Sequence, residues 1–148
     1  MKIQIHSEQS ELKKSQALFK KLSKRVCAQL KLNISTLDII FISSKKFQQL
    51  HQDYLQDDSP GDVLTFNLAE DKKIEGEIYI NLEQTRAQAA TYGVTVLDEI
   101  SRLIIHGCLH LAGFSDQHSA DRKVMKKKEE HLLKLARKFY TQRLASNY

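Results

Sequence analysis

Residues 106–116 read HGCLHLAGFSD, and the rest of the chain can be interpreted around them. This stretch places His106 and His110 four residues apart, and on an α-helix such residues lie one above the other on one face, about 6 Å apart along the axis. Both imidazoles can then direct a nitrogen to the same ion. Gly113 is suited to end this helix because glycine adopts a left-handed conformation without steric cost. The chain can then turn back and bring Asp116 to that ion, so the pattern predicts a metal site.

The third ligand of this predicted site has two candidates. Asp116 follows the helix end directly, whereas His118 lies two residues further on and is the commoner type of zinc ligand. A pair of histidines at this spacing also occurs by chance, and half-buried histidines usually only satisfy hydrogen bonds. The glycine and the nearby third ligand favour metal binding over that interpretation. Three protein ligands would leave a fourth position open for water, as in catalytic zinc sites.

The helix that carries the histidines is predicted to be buried. Residues 96–112 are apolar on nearly every side, which is typical of a helix surrounded by other elements. Imidazoles on such a helix need polar partners, and this again favours a metal site. Glu99 lies two turns before His106 on nearly the same face. It is a candidate either to support the metal site or to form an ion pair, and we favour the structural role.

The rest of the chain predicts one α+β domain over residues 1–148. Alternating or β-branched apolar residues predict strands, and apolar residues at helical spacing predict helices. The predicted strands are residues 2–6, 37–42, 62–68 and 74–80. The predicted helices are residues 11–30, a segment from Ser44, residues 81–92, residues 96–112 and a segment from Ser119. This order gives a mixed four-stranded sheet covered by about five helices, with the metal site on the central buried helix.

The composition is that of an ordinary globular protein, with 41% hydrophobic and 28% charged residues. No apolar run is long enough to span a bilayer, and residues 1–10 contain no apolar segment typical of a signal peptide. Cys27 and Cys108 have no C-x-x-C spacing and are expected to be buried, reduced thiols. We therefore expect a cytoplasmic protein with no membrane partner.

Positive charge is concentrated in the last predicted helix. Residues 119–143 contain nine lysines and arginines against three acidic residues, whereas the whole chain has a formal net charge of +5. A basic helix directly after a metal motif indicates a polyanion such as RNA, with Lys123, Lys126 and Lys127 as candidate RNA-binding residues. Lysine-rich outer faces also commonly serve only solubility. Charge alone does not decide between these two interpretations.

Taken together, these segments resemble the YbeY family of zinc-dependent endoribonucleases that mature ribosomal RNA. The family signature H-G-x-L-H-L-x-G is matched at every fixed position by residues 106–113. Asp62–Phe66 resembles the family's D-V-L-S-F strand, Gly76–Ile80 its G-D-I-x-I strand and Asp98–Glu99 its D-E pair. The likeness covers roughly residues 50–130. It implies one zinc ion per chain, rRNA precursors as substrates, and the ribosome or ribosomal proteins as partners.

The activity implied by the resemblance is endonucleolytic rRNA maturation, notably of the 16S rRNA 3′ end, together with ribosome quality control. Two positions depart from the family pattern. The family usually has a third histidine ten residues after the first, where this chain has Asp116, and a carboxylate can replace an imidazole as a zinc ligand. The family also commonly has an arginine after the tyrosine that precedes the D-V-L-S-F strand. Here Leu55 follows Tyr54, which leaves one cation fewer for a phosphate.

The expected chemistry is metal-assisted hydrolysis of an RNA phosphodiester, and the sequence identifies no catalytic side chain besides the metal ligands. In HExxH peptidases the residue after the first histidine is a glutamate base, and Gly107 stands at that position here, so proteolysis is set aside. A second hypothesis is a non-catalytic factor that binds the ribosome or pre-rRNA and has a structural zinc. Leu55 favours this second hypothesis, and the open coordination position argues against it. The oligomeric state stays open.

Overall fold

The computed structural model describes residues 1–7, 10–54 and 61–147. Its strands are β1 (Lys2–Ser7), β2 (Ile34–Ile42), β3 (Val63–Asn67) and β4 (Ile74–Asn81). Its α-helices are α1 (Gln16–Gln29), α2 (Ser44–Tyr54), α3 (Leu82–Tyr92), α4 (Val96–Leu111) and α5 (Ser119–Asn147). The predicted order of strands and helices and the α+β class are confirmed.

Two predicted elements have limits that differ from the structure by more than one residue. The helix predicted over residues 11–30 is a short 3-10 helix, Ser10–Ser15, followed by α1. Leu18, Leu22 and Val26, the apolar residues at helical spacing, are nevertheless buried on α1. The strand predicted from Leu37 begins at Ile34, which pairs with Ile74 of β4. Such pairing between distant segments extends a strand without leaving a signal in the local alternation.

The four strands form one mixed sheet in the order β1-β2-β4-β3. Strands β1, β2 and β4 are parallel to one another, whereas β3 runs antiparallel to β4. Residues 68–73 therefore connect β3 and β4 as a hairpin. Strand β3 lies at the edge of the sheet, and helix α4 packs against β3 and β4.

Helix α4 lies in the core, as its apolar sequence predicted. Ile104, Ile105, Cys108 and Leu109 are completely buried, and α4 contacts α1, α3 and α5 as well as the sheet. Cys27 and Cys108 are both buried free thiols, as expected. Among the described residues, no helix combines the length and the apolar character that crossing a bilayer requires.

Gly107 sets the distance between α4 and the sheet. A Cβ atom at this position would lie 2.7 Å from Cδ1 of Ile78 on β4 and 3.0 Å from Oγ1 of Thr65 on β3. The first distance is too short for non-bonded atoms and the second is tight, so this close approach favours glycine. Successive helical residues are about 100° apart, so His106 and His110 lie on the flank of the helix when Gly107 faces the sheet.

Candidate metal centre

The predicted ligands His106, His110 and Asp116 meet beside the C-terminal half of α4. Nε2 of His106 lies 3.1 Å from Nε2 of His110, and each of these nitrogens lies 3.5 Å from Oδ2 of Asp116. In a tetrahedral zinc site with bonds of about 2.1 Å, neighbouring ligand atoms are about 3.4 Å apart. The triangle therefore has the size that such an ion needs. Two imidazoles and one carboxylate are also a donor set that zinc accepts.

The turn after α4 brings Asp116 to the two histidines. Gly113 has a φ of 97°, in the region that favours glycine. The N–H of Gly113 donates to the carbonyl of His110, and the N–H of Phe114 donates to the carbonyl of Leu109, each at 3.0 Å. These two bonds form the Schellman arrangement, which ends a helix and reverses the chain. Gly113 therefore ends the helix as predicted.

His118 lies away from this point. It is exposed, and within the part of the chain that the structure describes the converging ligands are His106, His110 and Asp116. The backbone carbonyl of His118 accepts a hydrogen bond from the N–H of Arg122 in the first turn of α5. The third ligand stays a prediction, and Asp116 is the residue that the geometry favours.

His106 has a second polar partner, which the sequence did not predict. Nδ1 of His106 lies 2.8 Å from Oε2 of Glu129 on α5. Nη1 of Arg102 donates to the other carboxylate oxygen of Glu129 at 3.1 Å. Arg102 also pairs with Glu99, and its Nη2 lies 3.8 Å from Oδ2 of Asp62. We call Asp62, Glu99, Arg102 and Glu129 the carboxylate network. In this network Glu99 forms an ion pair, which is the structural role that we favoured from the sequence.

A signal for Glu129 is nevertheless present in the sequence. Glu129 lies four residues after Met125 and three before Leu132, and both of these apolar residues are buried on α5. A carboxylate within the apolar stripe of a helix needs a cation or a hydrogen-bond donor on the neighbouring element. The spacing could therefore have predicted a buried polar contact, although not its partner.

His110 is held in a different way. Its Nδ1 lies 3.1 Å from the backbone carbonyl oxygen of Phe114, in the turn after α4. A carbonyl oxygen only accepts, so Nδ1 carries the proton and Nε2 faces Asp116 with its lone pair. Burial lowers the pKa of His110, and the neighbouring His106 acts in the same direction while Asp116 opposes it. The imidazole is therefore kept neutral, which is the form that binds a metal ion.

Burial and charge shift the pKa values of the network in different directions. Burial raises the pKa of Asp62, although the Arg102 cation partly opposes this. Burial also disfavours the ionised form of Glu129, but its contacts with His106 and Arg102 outweigh this and lower its pKa. Burial disfavours the charged form of Arg102 too, yet its contacts with Glu99 and Glu129 raise its pKa. Arg102 and Glu129 are therefore both ionised at neutral pH.

Among the residues that the structure describes, four carboxyl groups lie around the two histidines and share one cation. Asp62, Glu99, Asp116 and Glu129 are four carboxyl groups, and Arg102 is the cation that contacts three of them. A divalent cation would offset this excess of negative charge, since opposite charges a few ångströms apart attract strongly in a partly buried site. The electrostatics of the site therefore agrees with its geometry.

Basic side chains contact the turn that carries Asp116, but they are not the predicted ones. Nη1 of Arg122 donates to the backbone carbonyl of Asp116 at 3.3 Å, and Nζ of Lys128 lies 5.6 Å from the centroid of the Phe114 ring. The predicted RNA-binding residues are exposed on the same helix: Lys123, Lys126 and Lys127. Leu55 lies outside the described residues.

The position after the first histidine faces the sheet and not the metal centre. Gly107 stands where HExxH peptidases have their glutamate, and a side chain there would collide with Ile78. A side chain at this position would therefore displace Ile78 and would lie between α4 and the sheet.

The fold and the site together define a class, an α+β protein with a His-His-Asp centre of the kind that metal-dependent hydrolases have. A family model described as "Endoribonuclease YbeY" matches residues 2–137. The chain therefore belongs to the YbeY family, which confirms the resemblance based on residues 106–113.

Individual relatives agree with this assignment. "Endoribonuclease YbeY" of Chlorobium chlorochromatii is 38% identical over 102 residues, which are 69% of this chain and 65% of that protein. The protein of the same name from Amoebophilus asiaticus is 40% identical over 105 residues, 70% of this chain and 71% of that one. The solution structure of TM1509 from Thermotoga maritima matches with a TM-score of 0.63 at 25% identity, over 97% of this chain and 93% of that one. This last similarity covers the whole fold described above.

Proposed function

We propose that this protein is a zinc-dependent endoribonuclease of rRNA maturation, with one zinc ion per chain. Its membership of the YbeY family and the names of its relatives support nuclease activity, and the His-His-Asp cluster supports metal dependence. The finer proposal is processing of the 16S rRNA 3′ end and a part in ribosome quality control. The setting would be the cytoplasm, with ribosomal proteins as partners.

The observation that carries the proposal is the open side of the ligand triangle. The side chains of His106, His110 and Asp116 are 20%, 31% and 45% exposed. Structural zinc sites are closed by four protein ligands, whereas catalytic sites keep a position for water or substrate. Within the described part of the chain the site has three ligands and is partly exposed, so it would be accessible to a phosphodiester.

The protein's own part in the reaction is to hold and orient the ligands. His106 and His110 would bind through Nε2 and Asp116 through Oδ2, the three atoms that form the triangle. Glu129 and the carbonyl of Phe114 orient the two imidazoles through their Nδ1 atoms. A bound zinc ion would polarise a phosphoryl oxygen and lower the pKa of a water molecule toward about 7.

The basic residues of α5 would bind the RNA backbone. Arg122 and Lys128 contact the turn beside the site, and the three exposed lysines extend the positive surface along the helix. Each phosphate neutralised on a single strand adds about −0.7 to the slope of log affinity against log salt concentration. RNA binding is therefore expected to weaken steeply with salt.

The test is cleavage of an rRNA 3′-end precursor by the purified protein, with and without a chelator. Wild type, Asp116→Ala and His118→Ala would be compared, and the zinc content of each measured. We expect Asp116→Ala to lose both zinc and cleavage and His118→Ala to keep both. Zinc-loaded wild type that binds the RNA but never cuts it would overturn the nuclease proposal.

The second candidate is a non-catalytic assembly factor in which zinc only stabilises the fold. Leu55 favours it, because the family commonly has an arginine at this position. His106→Ala separates the two functions. A variant that unfolds at the growth temperature indicates structural zinc, whereas a folded variant that binds RNA without cutting it indicates catalytic zinc.

A further inference from the structure

We propose that Glu129, held in place by Arg102, selects the tautomer of His106 that presents a lone pair to the metal ion. Glu129 would thus be a positioning residue for metal loading. The proposal deepens the proposed function, because it rests on a metal ion binding to His106, His110 and Asp116. It concerns the tautomer of His106 before the metal ion binds, and it does not depend on the identity of the substrate.

The geometry sets three acceptors in competition for the proton of His106. Neutral imidazole has one N–H and one accepting nitrogen. Nδ1 lies 2.8 Å from Oε2 of Glu129, whereas Nε2 lies 3.5 Å from Oδ2 of Asp116 and 3.1 Å from Nε2 of His110. Asp116 is at the limit of hydrogen-bond distance and His110 offers a neutral acceptor, so the short contact with the ionised Glu129 is the strongest and the proton belongs on Nδ1. Nε2 then faces His110 and Asp116 as an acceptor, which is the form that coordinates a metal ion.

Burial strengthens this preference for Glu129. The side chain of Glu129 is 12% exposed, whereas that of Asp116 is 45% exposed. Water competes for a hydrogen bond less in a buried position, where the local dielectric constant is lower. The buried contact of His106 therefore outweighs its exposed one.

Arg102 fixes the orientation of the Glu129 carboxylate. Its Nη1 donates to Oε1 of Glu129 at 3.1 Å, so the second oxygen, Oε2, is left for His106. Nε of Arg102 donates to both carboxylate oxygens of Glu99, at 3.1 and 3.2 Å, one turn earlier on α4. The carboxylate of Glu99 thus holds the guanidinium of Arg102, and the guanidinium directs the carboxylate of Glu129 toward His106.

The isosteric variant Glu129→Gln is expected to move the proton of His106 from Nδ1 to Nε2. Arg102 only donates, so the amide oxygen of the new side chain would face Arg102 and its NH2 group would face Nδ1 of His106. Nδ1 would then have to accept, and the proton would move to Nε2, where it blocks the metal. The volume of the side chain is unchanged, so the packing of α5 is kept.

Asp98→Asn is the matched control. Asp98 on α4 accepts two hydrogen bonds of 2.9 Å from Arg137 on α5, so this variant also replaces a carboxylate by an amide in an arginine contact between the same helices. The contact between Asp98 and Arg137 lies nearer the surface, because the Arg137 side chain is 51% exposed. A general loosening of α4 from α5 would affect both variants.

The experiment combines two measurements on wild type, Glu129→Gln and Asp98→Asn. Nitrogen-15 NMR of the metal-free proteins, at a pH where imidazole is neutral, reports which nitrogen of His106 is protonated. Competition with a chelator gives the zinc affinity. We expect Nδ1–H in wild type and Asp98→Asn, Nε2–H in Glu129→Gln, and zinc affinity about 10- to 100-fold lower in Glu129→Gln alone.

Two outcomes would overturn the proposal. One is a Glu129→Gln protein that keeps the wild-type tautomer, whatever its zinc affinity. The other is an equal loss of zinc affinity in Glu129→Gln and Asp98→Asn, which would assign the effect to helix packing. Wild type that binds no zinc would refute the metal premise of the proposed function, and the NMR spectra would still decide which tautomer Glu129 selects.

Discussion

The two histidines of the metal centre have equivalent places in the sequence motif but are oriented by different parts of the molecule. His110 is oriented by the carbonyl of Phe114, four residues later, through the turn that ends its own helix. His106 is oriented by Glu129, 23 residues later, through a side chain of another helix. A backbone acceptor depends on the conformation of the turn, whereas a side-chain acceptor depends on the packing of α5. We call His110 with the turn at Phe114 the His110 half of the site, and His106 with Glu129 the His106 half. Different substitutions should therefore weaken metal binding in each half.

The largest effect on zinc affinity is expected from removing a ligand, and it should be similar in the two halves. His106→Ala and His110→Ala each remove one of three ligands, so both should lower zinc affinity by more than the roughly 100-fold that bounds the loss of a supporting partner. Chelator competition measures this, with thermal unfolding of the metal-free variants as the control for folding. If either variant keeps wild-type affinity, that histidine is no ligand.

The next effect should be confined to the His110 half. Gly113 has a φ of 97°, so Gly113→Ala strains the turn and should cost more than about 1 kcal/mol of stability. It should also weaken zinc binding, because the carbonyl of Phe114 shifts. Gly93→Ala is the matched control, since Gly93 ends α3 with a φ of 67° and neither glycine has an atom within 4 Å of an added Cβ.

Urea unfolding and zinc titration of both glycine variants separate these effects. Gly93→Ala is expected to lose stability and to keep its zinc affinity. Equal zinc affinities for the two variants would show that the turn at Gly113 does not orient His110.

Lowering the pH of the metal-free protein should reduce its free energy of unfolding in two steps, one for each half of the site. The folded-state pKa values of His110 and Glu129 are both lowered, so each group contributes stability that is present above its unfolded pKa and is lost as the pH falls. The loss should begin below the ordinary value of 6.5 for His110 and below 4.5 for Glu129. Each tenfold difference in acid dissociation constant corresponds to about 1.4 kcal/mol.

Urea unfolding as a function of pH measures these losses. Glu129→Gln should remove the lower step and keep the upper one. An unchanged profile below pH 4.5 in this variant would mean that Glu129 makes no net contribution through its charge.

The smallest effect is expected at the rim of the His110 half. The ammonium group of Lys128 lies over the ring of Phe114, and such exposed contacts contribute about 0.5–1 kcal/mol. Lys128→Ala should lower stability by no more than this and weaken RNA binding slightly, with a lower salt dependence. Lys123→Ala is the comparison, and it should affect RNA binding without changing stability.

The same contrast explains how much the sequence could predict. The helix, its end at Gly113 and the approach of Asp116 depend on residues that are close together in the sequence, and periodicity and glycine chemistry report such local relations. Glu129 and Arg102 meet because α5 packs on α4, and no local pattern records which residues of two helices will face each other. The departure at Leu55 was visible in the sequence, but its surroundings lie outside the described residues.

The close contact between Gly107 and Ile78 has a consequence for the evolution of this site. A glutamate after the first histidine would give the HExxH pattern by one substitution, yet the Cβ at that position would come within 2.7 Å of Ile78. Ile78 or the helix would have to move to admit the new side chain, and a movement of the helix would displace the two histidines that it carries. Glutamate at this position would therefore need a compensating change in the packing of α4 against β4, and one substitution would not be enough.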